Sequence, residues 1–593
     1  MGDAPKSAYE IAMEKLRQRD RERGEAAPAT LTKEQKAAIA EIRSIYEARL
    51  AEREILFRSE RARAAARLAE DPEALAKAEA EYARDRRKLE EERDTKVASA
   101  HAAAAAPPQA PGGGSQEGKG RGGRGGARRG GGRGGGGRSG TQAGLLLAVV
   151  TLGILAAAWG AAAPPATAAP ATTPAAPPIA IRAARLLDGT DSPERRDVMV
   201  VVQGDTILSV EAARGGTAPA GATLLDLGEA TLLPGLIDAH THVLLQGDAT
   251  ERDYTDQILK ESVPHRTVRA VAAARIALLN GFTTLRDLGT EGAGYSDVAL
   301  RDGILEGYVP GPRLYVATLA LDVSGAYPVQ GFDLASPVPS GVQVVDGPDA
   351  GRAAVREQIR HGADWIKVYC DRGYFIGADG GLDSIPTFDG EELAAIVDEA
   401  HRRGRRVAAH AMAPKGIRNA LDAGVDTIEH GVAIDAESIR RMAAKGTFYC
   451  PTVTAMQDVA PDRAAEGRSV WSRMPDIQRR SFEAALRGGV RIAFGTDAGG
   501  FPWSVNQAEE FVWLVKYGMA PAQAIRSATG VGAALLGREK EIGRVAPGFR
   551  ADLVAVPGNP LADIGVLKRV GFVMQAGKVV KNEFPGPAPS VKP

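Results

Sequence analysis

The chain has eight histidines, and four of them lie where short apolar segments end, together with one lysine and one aspartate. Imidazole and carboxylate groups are the usual protein ligands of zinc and related divalent ions. When several such groups come from the ends of different strands, a metal centre is the simplest interpretation. The six candidate residues are His240, His242, Lys367, His410, His430 and Asp497.

The spacing of these residues supports that interpretation. His240 and His242 end the segment LLPGLIDAHTH, and side chains at positions i and i+2 of a strand point to the same face, so both can reach one ion. A single histidine on a strand is usually a packed core residue, but four at separate strand ends favour ligation. Lys367 lies inside the apolar segment WIKVY, where a dication would repel its ammonium. A neutral lysine amine can instead add CO₂ and form an anionic carbamate that bridges two metal ions.

Eight apolar, strand-like segments alternate with helical ones in this region. Alternation of this kind predicts an α/β fold, specifically a parallel (β/α)₈ TIM barrel. In such a barrel, the carboxyl ends of the strands surround one pocket. The predicted strands are Leu236–His242, Thr283–Gly289, Arg313–Thr318, Trp365–Tyr369, Arg406–Ala411, Thr427–Gly431, Phe448–Val453 and Arg491–Asp497.

Shorter alternating segments flank the predicted barrel on both sides. Residues 179–234 and 541–583 are predicted to form one small β-sandwich, built from both flanks of the barrel. The barrel itself is predicted over residues 235–540 and would carry the candidate metal centre.

The N-terminal quarter has a different composition. Residues 1–110 hold 22 basic and 22 acidic residues and predict a charged helical hairpin or a short coiled coil. Residues 111–143 hold seven basic residues and one acidic residue in a Gly/Arg-rich tract that predicts a disordered linker. Residues 144–163 are a 20-residue uncharged apolar segment, and residues 164–178 are a Pro/Ala linker.

The apolar segment 144–163 predicts either a transmembrane helix or a signal-like segment that is cleaved. The basic flank before it predicts that the N-terminus stays inside and the catalytic part lies outside. Both alternatives export that part, as a membrane-anchored domain or as an exported, periplasmic one.

The zero net charge and the absence of a folded RNA-binding motif predict no specific nucleic-acid partner. Two cysteines are too few for a disulfide scaffold.

The order His-x-His, Lys, His, His, Asp on strands 1, 4, 5, 6 and 8 resembles the amidohydrolase superfamily, in its binuclear, carboxylated-lysine type. Further stretches are similar to its imidazolonepropionase-related branch, which includes prolidase-like Xaa-Pro dipeptidases. The resemblance covers residues 179–583. The stretches are TTLRDLG, LRDGILEGYVPGPRL, GADWIKVY, HAMAPKGIRNALDAGVDTIEHG, AFGTDAGG and IGRVAPGFRADLVAV.

The resemblance implies a metal centre of defined composition. Two divalent ions, expected to be Zn²⁺, would be bridged by N6-carboxylated Lys367 and a hydroxide. The His-x-His pair and Asp497 would hold the more buried ion, and His410 and His430 the other. The hydroxide would attack a substrate carbonyl, and Asp497 would act as general base and then general acid.

The implied activity is hydrolysis of an amide or peptide-like C–N bond in a small molecule. Two alternatives stay open: a cyclic amide (lactam) hydrolase or deaminase on the same metals, and a membrane-tethered interaction protein.

Three tyrosines beside strand ends are predicted to orient the substrate: Tyr327, Tyr369 and Tyr449. In place of the Gly-Gly-His that prolidase-like members often carry after strand 3, this chain has Ser-Gly-Ala-Tyr, ending at Tyr327. The sequence leaves homo-oligomer formation open.

Overall fold

A computed structural model describes residues 84, 86–88, 92, 93, 96, 177–213, 218–248, 250–327 and 338–584. The chain divides into two units, residues 1–158 and residues 159–593. In the first part, the described residues between 84 and 96 are helical. The rest of predicted segment 1–110, the segments 111–143 and 144–163, and the linker up to residue 176 lie outside the described residues.

Among the described residues, no helix combines the length and the apolar composition needed to cross a bilayer. The apolar segment 144–163 is outside these residues, so its membrane role stays a prediction.

Twenty strands are described within residues 177–584. In chain order they are β1 Ile179–Leu186, β2 Arg195–Gln203, β3 Thr206–Ala212, β4 Thr223–Asp226, β5 Thr231–Pro234, β6 Leu236–Thr241, β7 Phe282–Asp287, β8 Arg313–Val316, β9 Leu321–Asp322, β10 Gln343–Val344, β11 Trp365–Tyr369, β12 Asp371–Ile376, β13 Leu382–Pro386, β14 Arg406–Ala411, β15 Thr427–His430, β16 Phe448–Cys450, β17 Arg491–Ile492, β18 Leu553–Val556, β19 Phe572–Gln575 and β20 Lys578–Asn582.

Twelve α-helices are described in the same range. They are α1 Glu251–Lys260, α2 Val263–Leu279, α3 Ser296–Leu305, α4 Pro348–Arg360, α5 Gly390–Arg402, α6 Pro414–Ala423, α7 Ala436–Lys445, α8 Val453–Ala465, α9 Met474–Arg487, α10 Glu509–Lys516, α11 Pro521–Ser527 and α12 Gly530–Leu535.

Eight strands form the barrel, in the order β6, β7, β8, β11, β14, β15, β16 and β17. Neighbouring barrel strands pair in parallel in two groups, β6-β7-β8 and β11-β14-β15-β16-β17. The two groups meet where the Asp364 N–H donates to the Val316 carbonyl at 2.8 Å. The barrel closes where the Ala239 N–H donates to the Phe494 carbonyl at 3.0 Å. Each predicted barrel strand is present, so the TIM-barrel prediction is confirmed.

The barrel holds together because its strands are apolar on both faces. All five residues of β11 and the last five of β14 are buried, as parallel strands covered by helices require. Helix α2 packs close to the strands because it presents alanines, Ala270, Ala273 and Ala277 among them, to the core. Helix α6 ends at Gly424, whose φ of 88° is the left-handed conformation that glycine adopts without strain.

The flanking segments form one mixed sheet with β4 attached to β1, in the order β20-β19-β18-β5-β1-β2-β3. N-terminal β5 pairs with C-terminal β18 in antiparallel fashion, which joins the two flanks. The pairing is continuous along the sheet, so the segments predicted as a sandwich form a single hydrogen-bonded sheet with its own apolar core.

A hairpin that the sequence did not predict follows barrel strand β11. Strands β12 and β13 pair in antiparallel fashion and leave the barrel at its carboxyl end. After its buried first residue, β12 alternates partly buried and exposed positions, so that strand supplies side chains to the barrel mouth as well as to solvent. The hairpin therefore adds a wall to the site that the strand ends form.

Candidate active site

The ends of the barrel strands bring the six predicted metal ligands together. Strands β6, β11, β14 and β15 contain one each, His242 follows β6 directly, and Asp497 lies in the loop after β17. The four histidines and the lysine are at most 6% exposed, and the aspartate side chain is 18% exposed. The six are His240, His242, Lys367, His410, His430 and Asp497.

One group of three has the geometry of a metal site. Asp497 Oδ1 lies 3.3 Å from His242 Nε2 and 3.5 Å from His240 Nε2. The three ligand atoms lie within 4.8 Å of one another. Two imidazoles and a carboxylate at such separations match the donor set that divalent transition metals prefer. These residues can therefore share one ion.

The other three predicted ligands border this group. Lys367 Nζ is 3.4 Å from His240 Nε2, and the His410 and His430 ring centres are 4.5 Å apart. His430 Nδ1 lies 3.9 Å from Asp497 Oδ2, so Asp497 faces both groups. His410 Nε2 lies 2.6 Å from the Tyr374 hydroxyl, within hydrogen-bond distance. Asp497 therefore lies beside both groups, and Lys367 lies beside His240.

Two of these residues have left-handed backbones. The φ angles of His430 and Asp497 are 69° and 63°, a region that histidine and aspartate tolerate better than most residues. The chain turns sharply there, and each side chain is aimed into the barrel mouth. Gly499 lies directly against the His242 carbonyl, where a Cβ would collide with it. The glycines of AFGTDAGG thus permit the approach of this loop to strand β6.

Burial governs the electrostatics of the cluster. Burial lowers the pKa of Lys367 and, with help from the Lys367 charge, lowers the pKa of His240 to about 4. Burial also lowers the pKa of His242, but its hydrogen bond and charge interaction with Asp497 outweigh this and raise the pKa to about 9. Burial raises the pKa of Asp497, yet the charges of His240 and His242 hold it well below its usual range.

Hydrogen-bond partners behind His240 and His242 orient their imidazole rings. Glu429 Oε2 lies 2.8 Å from His240 Nδ1, and the Gly289 carbonyl lies 2.9 Å from His242 Nδ1. Each contact occupies Nδ1 and leaves Nε2 of that ring facing the centre. Carbonyls and carboxylates behind histidine ligands commonly fix the tautomer in this way. Glu429 also accepts a hydrogen bond from Arg286 Nη2 at 2.8 Å, and both side chains are fully buried.

The buried Arg286–Glu429 pair gives a stability prediction. Glu429→Gln should lower the free energy of unfolding by about 3–5 kcal/mol, because it leaves the Arg286 charge buried without its partner. The measurement is urea-induced unfolding of the two single variants and of the double variant Arg286→Met/Glu429→Gln. The double variant should lose less than the sum of the single losses. Strictly additive losses would contradict the coupling.

The three predicted tyrosines are placed differently from one another. Tyr327 and Tyr369 line the cavity, and their hydroxyls donate to Glu291 at 3.0 Å each. Tyr449 is fully buried, and its hydroxyl donates to the carbonyls of His430 and Gly431 at 3.2 Å. Tyr449 is therefore not placed to contact substrate, which differs from the prediction. It supports the turn after β15 instead.

A cavity of about 890 Å³ opens above the cluster. It is lined by residues that the sequence did not single out, including Glu291, Arg372 and Tyr374. Glu291 accepts a third hydrogen bond, from Tyr254, at 2.9 Å and lies 3.8 Å from His242 Nδ1. Glu429 could have been found from the sequence, because it is an acidic residue inside the apolar strand segment TIEH. Arg372 and Tyr374 depend on the unpredicted hairpin.

Comparisons with known proteins agree with this geometry. The model of the Amidohydrolase family matches residues 231–580. Ochratoxinase from Aspergillus niger is 32% identical over 386 residues, which cover 60% of this chain and 77% of that protein. Imidazolonepropionase from Streptomyces griseus subsp. griseus is 28% identical over 388 residues, which cover 60% of this chain and 85% of that protein.

A crystal structure of a Xaa-Pro dipeptidase with bound methionine in its active site is similar in fold and sequence. Its TM-score is 0.62 at 32% identity, with 68% of this chain and 100% of that chain covered. The family match spans more than half of the chain, and the relatives fall in the branch that the sequence motifs indicated. The chain therefore belongs to the amidohydrolase family, and it is a hydrolase that acts on carbon–nitrogen bonds.

Proposed function

We propose that the chain hydrolyses an amide or peptide-like bond of a small molecule in a prolidase-like reaction that depends on two divalent metal ions. One observation carries the proposal: six ligand-type side chains from five barrel strands meet below a cavity of about 890 Å³. That volume falls within the range of small-molecule sites, and its position is that of TIM-barrel active sites.

The donor set fits a metal centre. His240, His242 and Asp497 would hold one ion, and His410 and His430 the other. Zinc suits this set of imidazoles and a carboxylate, and Lys367 as its carbamate would add an anionic bridge. The 3.4 Å approach of Lys367 Nζ to His240 Nε2 supports the bridging role. Bound divalent ions polarise a carbonyl and lower the pKa of a water molecule to about 7.

Asp497 is the residue we assign to proton transfer. Its carboxylate contacts both histidines of the first group and is the most exposed of the six side chains, so it can reach a water and a substrate. In hydrolysis a C–O bond forms to water and the C–N bond breaks. Asp497 would accept the proton from the water and return it to the departing nitrogen, which leaves as an amine. The other product is a carboxylate.

A substrate panel tests the proposed function. The full-length chain, loaded with zinc, is assayed with Xaa-Pro dipeptides, N-acyl amino acids and lactams, and amine release is followed. We expect turnover of open-chain amides, because the cavity continues well beyond the ligand cluster. Preference for lactams would instead support the cyclic-amide alternative, and ammonia release from an amidine-type substrate would support a deaminase. No hydrolysis of any member would contradict the proposal.

Export of the catalytic part is a second element of the proposal. It is supported by the uncharged segment 144–163 and the basic tract 111–143 before it. N-terminal sequencing of the chain purified from its native membrane and soluble fractions separates the two alternatives. An intact N-terminus in the membrane fraction supports an anchor, and a start beyond residue 163 supports a cleaved signal.

A further inference from the structure

We infer that Thr452 is a positioning residue, whose hydroxyl sets the ring orientation and the tautomer of His430. Glu510 makes this possible, because it caps the start of helix α8 in place of the Thr452 hydroxyl. The inference rests on the proposed metal-dependent hydrolysis, and it adds to that site two residues that no sequence motif indicated.

The first observation is the contact between the Thr452 hydroxyl and the His430 ring. Thr452 Oγ1 lies 2.8 Å from His430 Nδ1, and both side chains are buried. Asp497 Oδ2, at 3.9 Å, is beyond hydrogen-bond distance of the same nitrogen. A hydroxyl that accepts a hydrogen bond from Nδ1 leaves the lone pair on Nε2, as the partners of His240 and His242 do for their rings. Thr452 is therefore the partner that prepares His430 to bind an ion.

The second observation is the backbone of Thr452, which directs the hydroxyl away from helix α8. Thr452 is the N-cap residue of this helix, with a φ of 51° and a ψ of 49°, and its side chain makes no capping hydrogen bond. The N-cap residues Thr250, Asp389 and Asp435 have extended backbones instead, and their side chains accept hydrogen bonds from their helices. A β-branched residue is strained at a positive φ. In this strained conformation Thr452 loses a capping bond and gains the contact with His430.

The third observation is that a carboxyl group from another helix caps α8. Glu510 Oε1 accepts a hydrogen bond from the Val453 N–H at 2.9 Å, and Oε2 accepts from the N–H and the hydroxyl of Thr454 at 2.7 Å each. Val453 and Thr454 are the first two residues of α8, where N–H groups have no acceptor within the helix. Glu510 belongs to α10 and is fully buried, so this cap is part of the packed structure. The start of α8 therefore does not need the Thr452 hydroxyl.

Two residues in and after β16 thus hold different parts of His430. The Tyr449 hydroxyl donates to the His430 carbonyl at 3.2 Å and supports the left-handed backbone, whereas Thr452 holds the ring. A neutral histidine ring without a partner at Nδ1 can rotate and can carry its proton on either nitrogen. Loss of the hydroxyl should therefore weaken binding of the ion that His430 helps to hold, and affect the ion at the other group less.

The test measures metal binding rather than activity. Zinc binding to the metal-free, full-length chain is followed by competition with a chelator, without substrate. We expect Thr452→Val to weaken one of the two bound ions by about 10–100-fold, the range for losing a partner behind a metal ligand. Valine keeps the shape, the β-branch and the backbone strain of threonine, so this loss reports on the hydroxyl. Thr452→Ser keeps the hydroxyl and should restore most of the affinity.

A His430→Ala background separates positioning from a general structural role. His430→Ala should weaken the same ion, and Thr452→Val added to it should cause no further loss, because the ring that the hydroxyl holds is absent. Glu510→Gln should weaken that ion by a smaller factor, because it removes one of the two oxygens that cap α8. Thr452→Gly relieves the backbone strain, so it provides a second variant without the hydroxyl if the valine variant does not fold.

Two matched controls carry the same substitutions elsewhere. Thr284 is a buried threonine of β7 whose hydroxyl has no partner among the described residues, and Glu509 is partly exposed and pairs with Lys568 at 2.8 Å. Thr284→Val and Glu509→Gln should leave zinc binding unchanged. Wild-type affinity in Thr452→Val, or an equal loss with and without the His430 ring, overturns the inference and leaves the proposed hydrolysis standing. Coupling to His430 in a chain that cleaves no amide contradicts the proposed hydrolysis alone.

Discussion

Asp497→Asn is expected to lower kcat by about 10³-fold, in the middle of the range for losing a general acid–base group. Asparagine keeps the shape and one acceptor oxygen but cannot take a proton from water and return it to a leaving nitrogen. The substitution suits this position, because asparagine, like aspartate, tolerates the φ of 63° found there. Alanine at this φ would add backbone strain, so a loss of kcat would not report on proton transfer alone. Steady-state kinetics on the best amide of the panel provide the measurement.

The control for this variant is Asp349→Asn. Asp349 lies in the first turn of α4 and is fully exposed, so the same chemical change there should leave kcat within a factor of about two, as is usual for surface positions. Both variants should unfold at nearly the wild-type temperature. Substantial turnover by Asp497→Asn, with metal content unchanged, would remove Asp497 from the proton-transfer role.

The barrel and its ligand cluster were predictable because they follow local rules. Apolar segments of about five to seven residues, separated by amphipathic helices, indicate parallel strands buried on both faces. Once the strands are assigned, the topology alone places their carboxyl ends together. His240 and Lys367 could therefore be assigned to one site although 127 positions separate them.

The cavity wall was not predictable because it depends on contacts that have no local pattern. Arg372 reaches the site only through the hairpin β12–β13, and it packs against Tyr327 and against Tyr369, the last residue of β11. Glu291 was missed because nothing in DLGTEGAG marks one acidic residue as the acceptor of three hydroxyls. Tyr449 was misplaced because nearness to a strand end does not say which way a side chain points.

Loss of metal is the second change with a very large expected effect. Chelation should abolish hydrolysis, because the remaining side chains can move a proton but cannot polarise the carbonyl. Lys367→Ala should lower the metal content below two ions per chain and reduce kcat by about 10²-fold or more, as loss of one electrostatic contact to a reacting centre does. Acetate or propionate should restore part of the activity by supplying the missing carboxylate. Metal analysis and kinetics on one preparation test this.

Lys415→Ala is the matched control for that variant. Lys415 is half exposed and pairs with Asp383 at 2.8 Å on the surface, away from the ligand cluster. Its loss should change neither metal content nor kcat, and small carboxylic acids should not affect it. If Lys367→Ala keeps two ions and full activity, Lys367 has no bridging role.

Amide hydrolysis by a metal centre built from these six side chains can be tested by titrating the metal-free chain with zinc. Activity on the best amide of the panel is measured after each addition, together with bound metal. We predict no activity without metal, and a rise that levels off at two equivalents of zinc per chain. Full activity of the metal-free chain, or activity that does not respond to any divalent ion, would contradict it.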